Sequence, residues 1–252
     1  MKRVDYDDRL YRVYAKGRAL TDGQRANWAA AFARYLPTTR PLRGLDVGSG
    51  VGRLTPLLAE ICGGPVVGIE PSARMREVAV DTATHPAVEY LPGTAEATGL
   101  PDASVDAALA FLVWHHVSDR PAAARELARV VRPGGVLLLR TQFADRMPYL
   151  WTFARSARAR EVDAAMYETL PVVRADFTAA GWASVDLHEV EEPAIGTYRD
   201  GLERLRSRAF STFESLTEDE INEWLAAVAE WVTPRADQPA PAARADLLVL
   251  HR

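Results

Sequence analysis

The pattern of apolar and polar positions changes character twice along the 252 residues. Residues 1–40 read as helical and carry two aromatic patches, Tyr6/Tyr11/Tyr14 and Trp28/Phe32/Tyr35, before Pro37 and Pro41 break the chain. From 42 to 140 short β-like runs alternate with amphipathic segments. The runs are Leu45-Asp46-Val47, Val66 to Ile69, Ala87 to Leu91, Val105 to Val113, and Val136 to Leu139. Leu54, Leu57, Leu58 and Ile61 stand at i, i+3, i+4 and i+7, one side of a helix. Ala124, Leu127, Ala128 and Val131 repeat that spacing behind Pro121, and Pro133-Gly134-Gly135 stops the helix. Such alternation predicts a mainly parallel sheet covered by helices on both faces.

After 140 the rhythm differs. Residues 147–181 are aromatic-rich and helical in pattern, and 183–190 alternate as a half-buried strand does. A further helical stretch covers 199–233. Its second half opens on a capping box, Thr217-Glu218-Asp219-Glu220, followed by Ile221, Trp224, Leu225, Val228 and Val232 as a buried stripe. A Pro/Ala linker leads to a last strand within 245–252. The expectation is a single α/β domain over 1–252: a Rossmann-like, mainly parallel seven-stranded sheet with N-terminal helices and a late helical cap insertion.

Composition narrows the function classes. A formal net charge of −4 gives no electrostatic reason to expect a nucleic-acid partner. Cys62 is the only cysteine and His85, His188 and His251 are scattered, so neither a disulfide within the chain nor a metal site is expected. The polar start, Met1 to Asp8, gives no signal-peptide pattern, and no apolar run approaches the ~20 residues needed to span a bilayer. The expected compartment is the cytoplasm.

The candidate chemistry starts at Asp46-Val47-Gly48-Ser49-Gly50-Val51-Gly52. These glycines follow a strand and open a helix, where a turn must be tight and a ligand can approach the backbone. Their Gly-x-Gly-x-Gly spacing differs from the Gly-x-Gly-x-x-Gly of dinucleotide sites, and no Gly-Lys-Ser/Thr follows. Asp46 would repel a pyrophosphate but could hold an ammonium group. Glu70, ending the second strand run, is positioned to accept hydrogen bonds from both ribose hydroxyls. The pair suits an amino acid joined to a nucleoside.

With those residues in view, 42–140 resembles the class I S-adenosylmethionine-dependent methyltransferases, in the broad group containing the ubiquinone/menaquinone-type and many small-molecule enzymes. The resemblance implies that Asp46, Gly48, Ser49, Gly50 and Gly52 form the first cofactor motif. It assigns Glu70, Pro71 and Met75 to the ribose and adenine side, and Thr94, Ala95 and Glu96 to the adenine edge. The family commonly has Asp where this chain has Thr94. Ala110 and Phe111 map to cofactor-lining positions, and Arg132 to Gly135 to the turn before the fifth strand. Tyr14-Ala15-Lys16-Gly17-Arg18 is similar to a Tyr-x-x-x-Arg element that folds over the cofactor, so Arg18 joins the cofactor set.

Methyl transfer from a sulfonium needs alignment above all, and a base only for a protonated acceptor. His115 and His116, after the fourth strand, are the candidate bases, with Tyr14 pairing His116 by resemblance. A small-molecule acceptor is expected under a lid drawn from the late insertion. Its aromatics (Phe143, Tyr149, Trp151, Phe153, Tyr167, Phe210, Phe213) divide between core and pocket, with core favoured, and Arg204, Arg206 and Arg208 are expected on a solvated helix face. The rival readings are a protein that binds S-adenosylmethionine without methylating and an RNA or tRNA methyltransferase.

Overall fold

A computed structural model describes residues 20–147, 150–194 and 196–252. Its sheet has seven strands: β1 (Gly44–Val47), β2 (Val66–Ile69), β3 (Val88–Leu91), β4 (Val105–Phe111), β5 (Val131–Arg140), β6 (Ser184–Glu192) and β7 (Ala243–His251). Their spatial order is β3-β2-β1-β4-β5-β7-β6. β1 to β5 pair in parallel, whereas β7 runs antiparallel to both β5 and β6. The expected Rossmann-like sheet is therefore present, with one antiparallel edge.

The helices are α1 (Asp22–Tyr35), α2 (Thr55–Cys62), α3 (Ala73–Thr82), α4 (Arg120–Val130), α5 (Ala157–Ala164), α6 (Leu170–Ala179), α7 (Tyr198–Arg206) and α8 (Glu218–Val232). Side chains alternate across the pleat of β4, so Ala108 and Ala110 join one core while Ala107, Leu109 and Phe111 join the other. The first core packs α4 (Ala124, Leu127) and α6 (Val173, Phe177) on the sheet; the second packs α1 (Trp28, Phe32) and α2 (Leu57, Leu58). Every residue of β4 is buried, which explains why its run lacks the polar alternation of a half-exposed strand. A third cluster, built on Trp224, Val228, Phe213 and Phe153, is the core of the cap.

The periodic segments lie where their patterns put them, except that α4 ends at Val130, so Val131 opens β5 instead of completing the helical stripe. Leu54, Leu57 and Leu58 are buried, and Ile61 packs half-buried at the edge of the same core. The Thr217 capping box closes both ways, with Thr217 Oγ1 accepting from the Glu220 N–H at 3.2 Å and Glu220 Oε2 accepting from the Thr217 N–H at 2.8 Å. Two expectations change, and one is seen only in part. The helical stretch 199–233 is two helices separated by a 3-10 turn at Ser211–Ser215. The turn expected at 132–135 is a bulge inside β5: Val131 pairs with Val105, the chain swings out, and Val136 resumes opposite Ala107. Of the N-terminal helices, α1 is observed, while residues 1–19 lie outside the described residues. No described helix is long and apolar enough to cross a membrane.

Candidate active site

The order of the sheet reverses between β1 and β4: the chain leaves β1 outward to β2 and β3, then returns to the other flank of β1. In an open α/β sheet such a reversal leaves a crevice beyond the strand C-termini, where ligands bind. Asp46, Glu70 and Phe111 all sit at those tips.

Gly48, Gly50 and Gly52 have φ of +64°, +57° and +76°. At Gly48 a Cβ would overlap the side chain of Val113, so the loop lies hard against the segment after β4. At Gly50 a Cβ would meet nothing within 4 Å, so the backbone there borders open space. Ser49 braces the loop from behind. Its N–H donates to the Ile69 carbonyl at 3.0 Å, and its Oγ faces Gly68 of β2.

Glu70 spans the two strand tips. Its Oε2 accepts from the Gly50 N–H at 3.0 Å and its Oε1 from the Ser72 N–H at 2.9 Å. A carboxylate accepts about four hydrogen bonds, and sugar hydroxyls are donors of the kind it takes. Asp46 is buried and accepts from Thr55 Oγ1 at 2.7 Å. Burial pushes its carboxyl up to about 7, against the lowering influence of the Thr55 hydroxyl and the Arg53 charge, while the Glu70 charge adds to the rise. A cationic ligand group would return it to the charged form.

The other expected cofactor residues are spread around this crevice. Pro71 is exposed; Met75, in the first turn of α3, is buried. Thr94 and Ala97 form a small antiparallel bridge, and Ala95 is buried against the core on the α4 side. Glu96 Oε1 accepts from the N–H groups of Ser118 and Asp119 at 2.9 and 3.2 Å, which ties it to the entry of α4. Partial burial would raise its carboxyl, but those bonds and the Thr94 hydroxyl hold it below the usual range. Ala110 is fully buried within β4. Phe111 meets Trp28 edge-on at 4.9 Å, lies 5.2 Å from the Arg53 guanidinium and faces the cap cavity. Tyr14 and Arg18 lie outside the described residues.

His115 and His116 occupy a 3-10 turn after β4, with ring centroids 3.9 Å apart. His115 lies 4.9 Å from the Tyr167 ring. Tyr167 lines the cap cavity, whereas neither histidine is part of its wall. The structure brings the two imidazoles together behind that tyrosine.

The cavity itself, of about 180 Å³, lies between the strand tips and the cap. Phe111, Leu112, Arg140 and Gln142 form its sheet side, and Trp151, Phe153, Met166, Tyr167, Leu205 and Phe210 its cap side. Arg53, directly after the glycine loop, belongs to both cavity and crevice. Leu112 has φ of +56°, a strained left-handed conformation held where β4 meets the pocket. Arg204, expected in solvent, is half-buried in the cavity wall; Arg206 and Arg208 pair with Glu203 and Glu218 on the surface. Of the aromatics, Phe143 and Phe213 are core, and Trp151, Phe153, Tyr167 and Phe210 reach the cavity. Tyr149 is outside the described residues.

Sequence reasoning missed the polar part of this wall: Arg140, Asp163, Glu192 and Thr212. The one local signal was a charged residue, Arg140, closing the apolar run of β5; the structure buries it to 4% exposure.

The sequence profile of a methyltransferase domain matches residues 45–139. An uncharacterized methyltransferase of Geobacillus kaustophilus is 30% identical over 176 residues, covering 65% of this chain and 80% of that protein. The chain belongs to the S-adenosylmethionine-dependent methyltransferase family.

An uncharacterized methyltransferase of Mycobacterium tuberculosis is 40% identical over 125 residues, 50% of this chain and 47% of that protein. The chain thus spans about half the length of the mycobacterial relatives it matches. A solved structure from Anabaena variabilis, assigned as a methyltransferase of an antibiotic biosynthesis pathway, shares the fold with a TM-score of 0.71 at 22% identity, over 91% of this chain and 99% of that one. The family match falls on the sheet half of the molecule; the cap is outside it.

Proposed function

We propose that this methyltransferase transfers the methyl group of S-adenosylmethionine to an O or N atom of a small organic molecule held in the cap cavity. The observation that carries the reading is the cavity under the cap, with Arg53, Phe111 and Leu112 of its wall standing beside the strand-tip crevice. A cofactor above the glycine loop and an acceptor under the cap would then face each other. The residues present fit that cofactor: Glu70 for the ribose hydroxyls, Asp46 for the ammonium group, and open space over Gly50 for close backbone approach. Met75 and Pro71 with Thr94 to Glu96 supply the adenine side. Gly48 and Gly52 set the bend of the loop, Ser49 braces it, and Phe111 stands beside it with Ala110 buried beneath. Arg18 takes the part that the N-terminal motif implies.

S-adenosylmethionine supplies a methyl on a sulfonium, which leaves as a neutral thioether. The protein's part is therefore to align donor and acceptor, worth about 7–11 kcal/mol in well-oriented systems, and to keep water from the pair. A base would add about 10²–10⁴-fold for a protonated acceptor. Because neither histidine borders the cavity, His116 would fill that role only together with Tyr14, and His115 only through Tyr167.

The narrower kinship with ubiquinone/menaquinone-type enzymes rests on the motifs of 42–140, and a place in secondary metabolism on the cap. The formal net charge of −4 disfavours a nucleic-acid acceptor, and a cytoplasmic enzyme without a metal is the matching setting. Calorimetry with S-adenosylmethionine tests the reading: wild type binds, and Glu70→Ala and Asp46→Ala each weaken binding at least about tenfold. Equal affinity in all three sinks it. Release of S-adenosylhomocysteine with an acceptor panel separates methylation from binding alone.

A further inference from the structure

One glycine of the cap is not explained by its own backbone. Gly201 lies within α7, in ordinary helical conformation rather than the left-handed one that favours glycine. Alanine is the better helix former at such a position, because glycine gives up more chain entropy. A neighbour excludes the methyl group: a Cβ at Gly201 would stand 2.5 Å from Trp151 Cζ2 and 3.2 Å from its Cη2. The edge of the indole therefore rests on bare helix backbone.

Trp151 is held on its other sides as well. Its ring stacks on Trp231 of α8, with centroids 5.5 Å apart and planes at 26°, and meets Tyr198 of α7 edge-on at 5.0 Å. Trp231 is itself fixed. Tyr198 meets it edge-on at 5.2 Å, and the Arg155 guanidinium lies 4.8 Å from its ring centre. Trp231 and Tyr198 are not part of the cavity wall, whereas Trp151 and Gly201 both are. The indole thus has aromatic rings behind it, helix backbone at its edge and the cavity beside it.

Trp151 shares its wall with Phe153, Met166 and Leu205. An apolar cavity of roughly 150 Å³ holds one benzene molecule, and the space here is about 180 Å³. In an apolar pocket one methylene more or less changes binding by about 10–200-fold. An indole fixed in such a wall is large enough to decide which ring systems enter.

We infer that Trp151, seated on Gly201, sets the size of the methyl acceptor, admitting one substituted ring and turning away fused rings. Gly201 acts through Trp151 and is a positioning residue. This rests on the proposed use of the cavity as the acceptor site and adds what limits the acceptor's size.

The test titrates phenol and 2-naphthol into the full chain with saturating S-adenosylhomocysteine, read by ligand-observed NMR. The wild type should bind phenol at least as tightly as 2-naphthol, although the larger probe has more apolar surface to bury. Trp151→Ala should shift the ratio of affinities toward 2-naphthol by at least about tenfold, and Trp151→Phe should shift it less. Gly201→Ala should weaken phenol binding at least about tenfold. Adding Trp151→Phe to it should recover binding, since the smaller ring leaves room for the methyl. Thermal melting identifies the variants that fold, and where an alanine variant does not, Trp151→Phe decides. Four results each overturn the inference: no phenol binding by the wild type, a wild-type preference for 2-naphthol, a ratio unmoved in the folded Trp151 variants, or full phenol affinity in folded Gly201→Ala. S-adenosylmethionine binding to the wild-type chain is read separately. Its loss would sink the methyltransfer reading, whereas its presence with any of those four results sinks only this one.

Discussion

The cofactor half and the cap half of this molecule solve their recognition problems by different means. Around Asp46 to Glu70 the proposed cofactor site is made from backbone conformation: three positive-φ glycines, two strand tips, and carboxylates held by neighbouring N–H and hydroxyl groups. Under the cap it is made from side chains, contributed by α1, the ends of β5 and β6, α7 and the 3-10 turn at Ser211–Ser215. A ligand common to a whole family can be read by main-chain geometry. A ligand particular to one protein is read by side chains, which change without moving the sheet.

Behind the cavity wall lies Trp28, fully buried, edge-on to Phe111 of β4 and donating to Glu192 of β6. Trp28→Ala should cost about 3–5 kcal/mol of stability, the largest effect expected here, read by urea denaturation. If the loss is under about 1 kcal/mol, the wall stands without this residue. Within the loop, Gly48→Ala adds the left-handed penalty of about 1–2 kcal/mol to an overlap with Val113 of about 1–3 kcal/mol. Gly50→Ala carries only the first of these, because its surroundings are open. Equal stability losses in the two variants would show that packing against Val113 does not matter.

A smaller effect separates the halves by pH. Burial raises the Asp46 carboxyl to about 7 from an ordinary 3.8, so between those values the folded chain holds a proton that the unfolded chain has lost. Stability should therefore decline as pH climbs through that window, by at most about 1.4 kcal/mol per pH unit. Asp46→Asn removes this decline, and parallel curves for variant and wild type from pH 5 to 8 would refute it. Smallest is Thr217→Ala in the α8 capping box, about 1 kcal/mol. It should lower the melting temperature while leaving S-adenosylmethionine affinity untouched, since both bonds of the box close at the start of α8.

The same contrast decides what could be read before any coordinates. Leu54, Leu57 and Leu58 announced α2 because helix periodicity is a short-range rule, and the glycine spacing fixed the loop within seven residues. The capping box at Thr217 was legible for the same reason. The cavity was not. Arg140 and Arg204 are joined only by the folded chain, and α7 shows nothing in its own pattern that sets Arg204 apart from Arg206. Likewise the bulge in β5 follows from Gly135, where a Cβ would come within 2.8 Å of the Asp106 carbonyl, a contact between strands that no single segment discloses.

Because β7 enters the sheet backwards, β6 ends and β7 begins on the rim where β1 and β4 also end. Everything from 193 to 242 is consequently a detour that departs and returns on the ligand side, leaving the seven-strand platform closed beneath it. Its covalent seam is confined to two neighbouring strands, while its packing seam runs along Phe153 and Ala159, so a replacement segment that keeps those contacts can bring a new acceptor wall to an unaltered sheet.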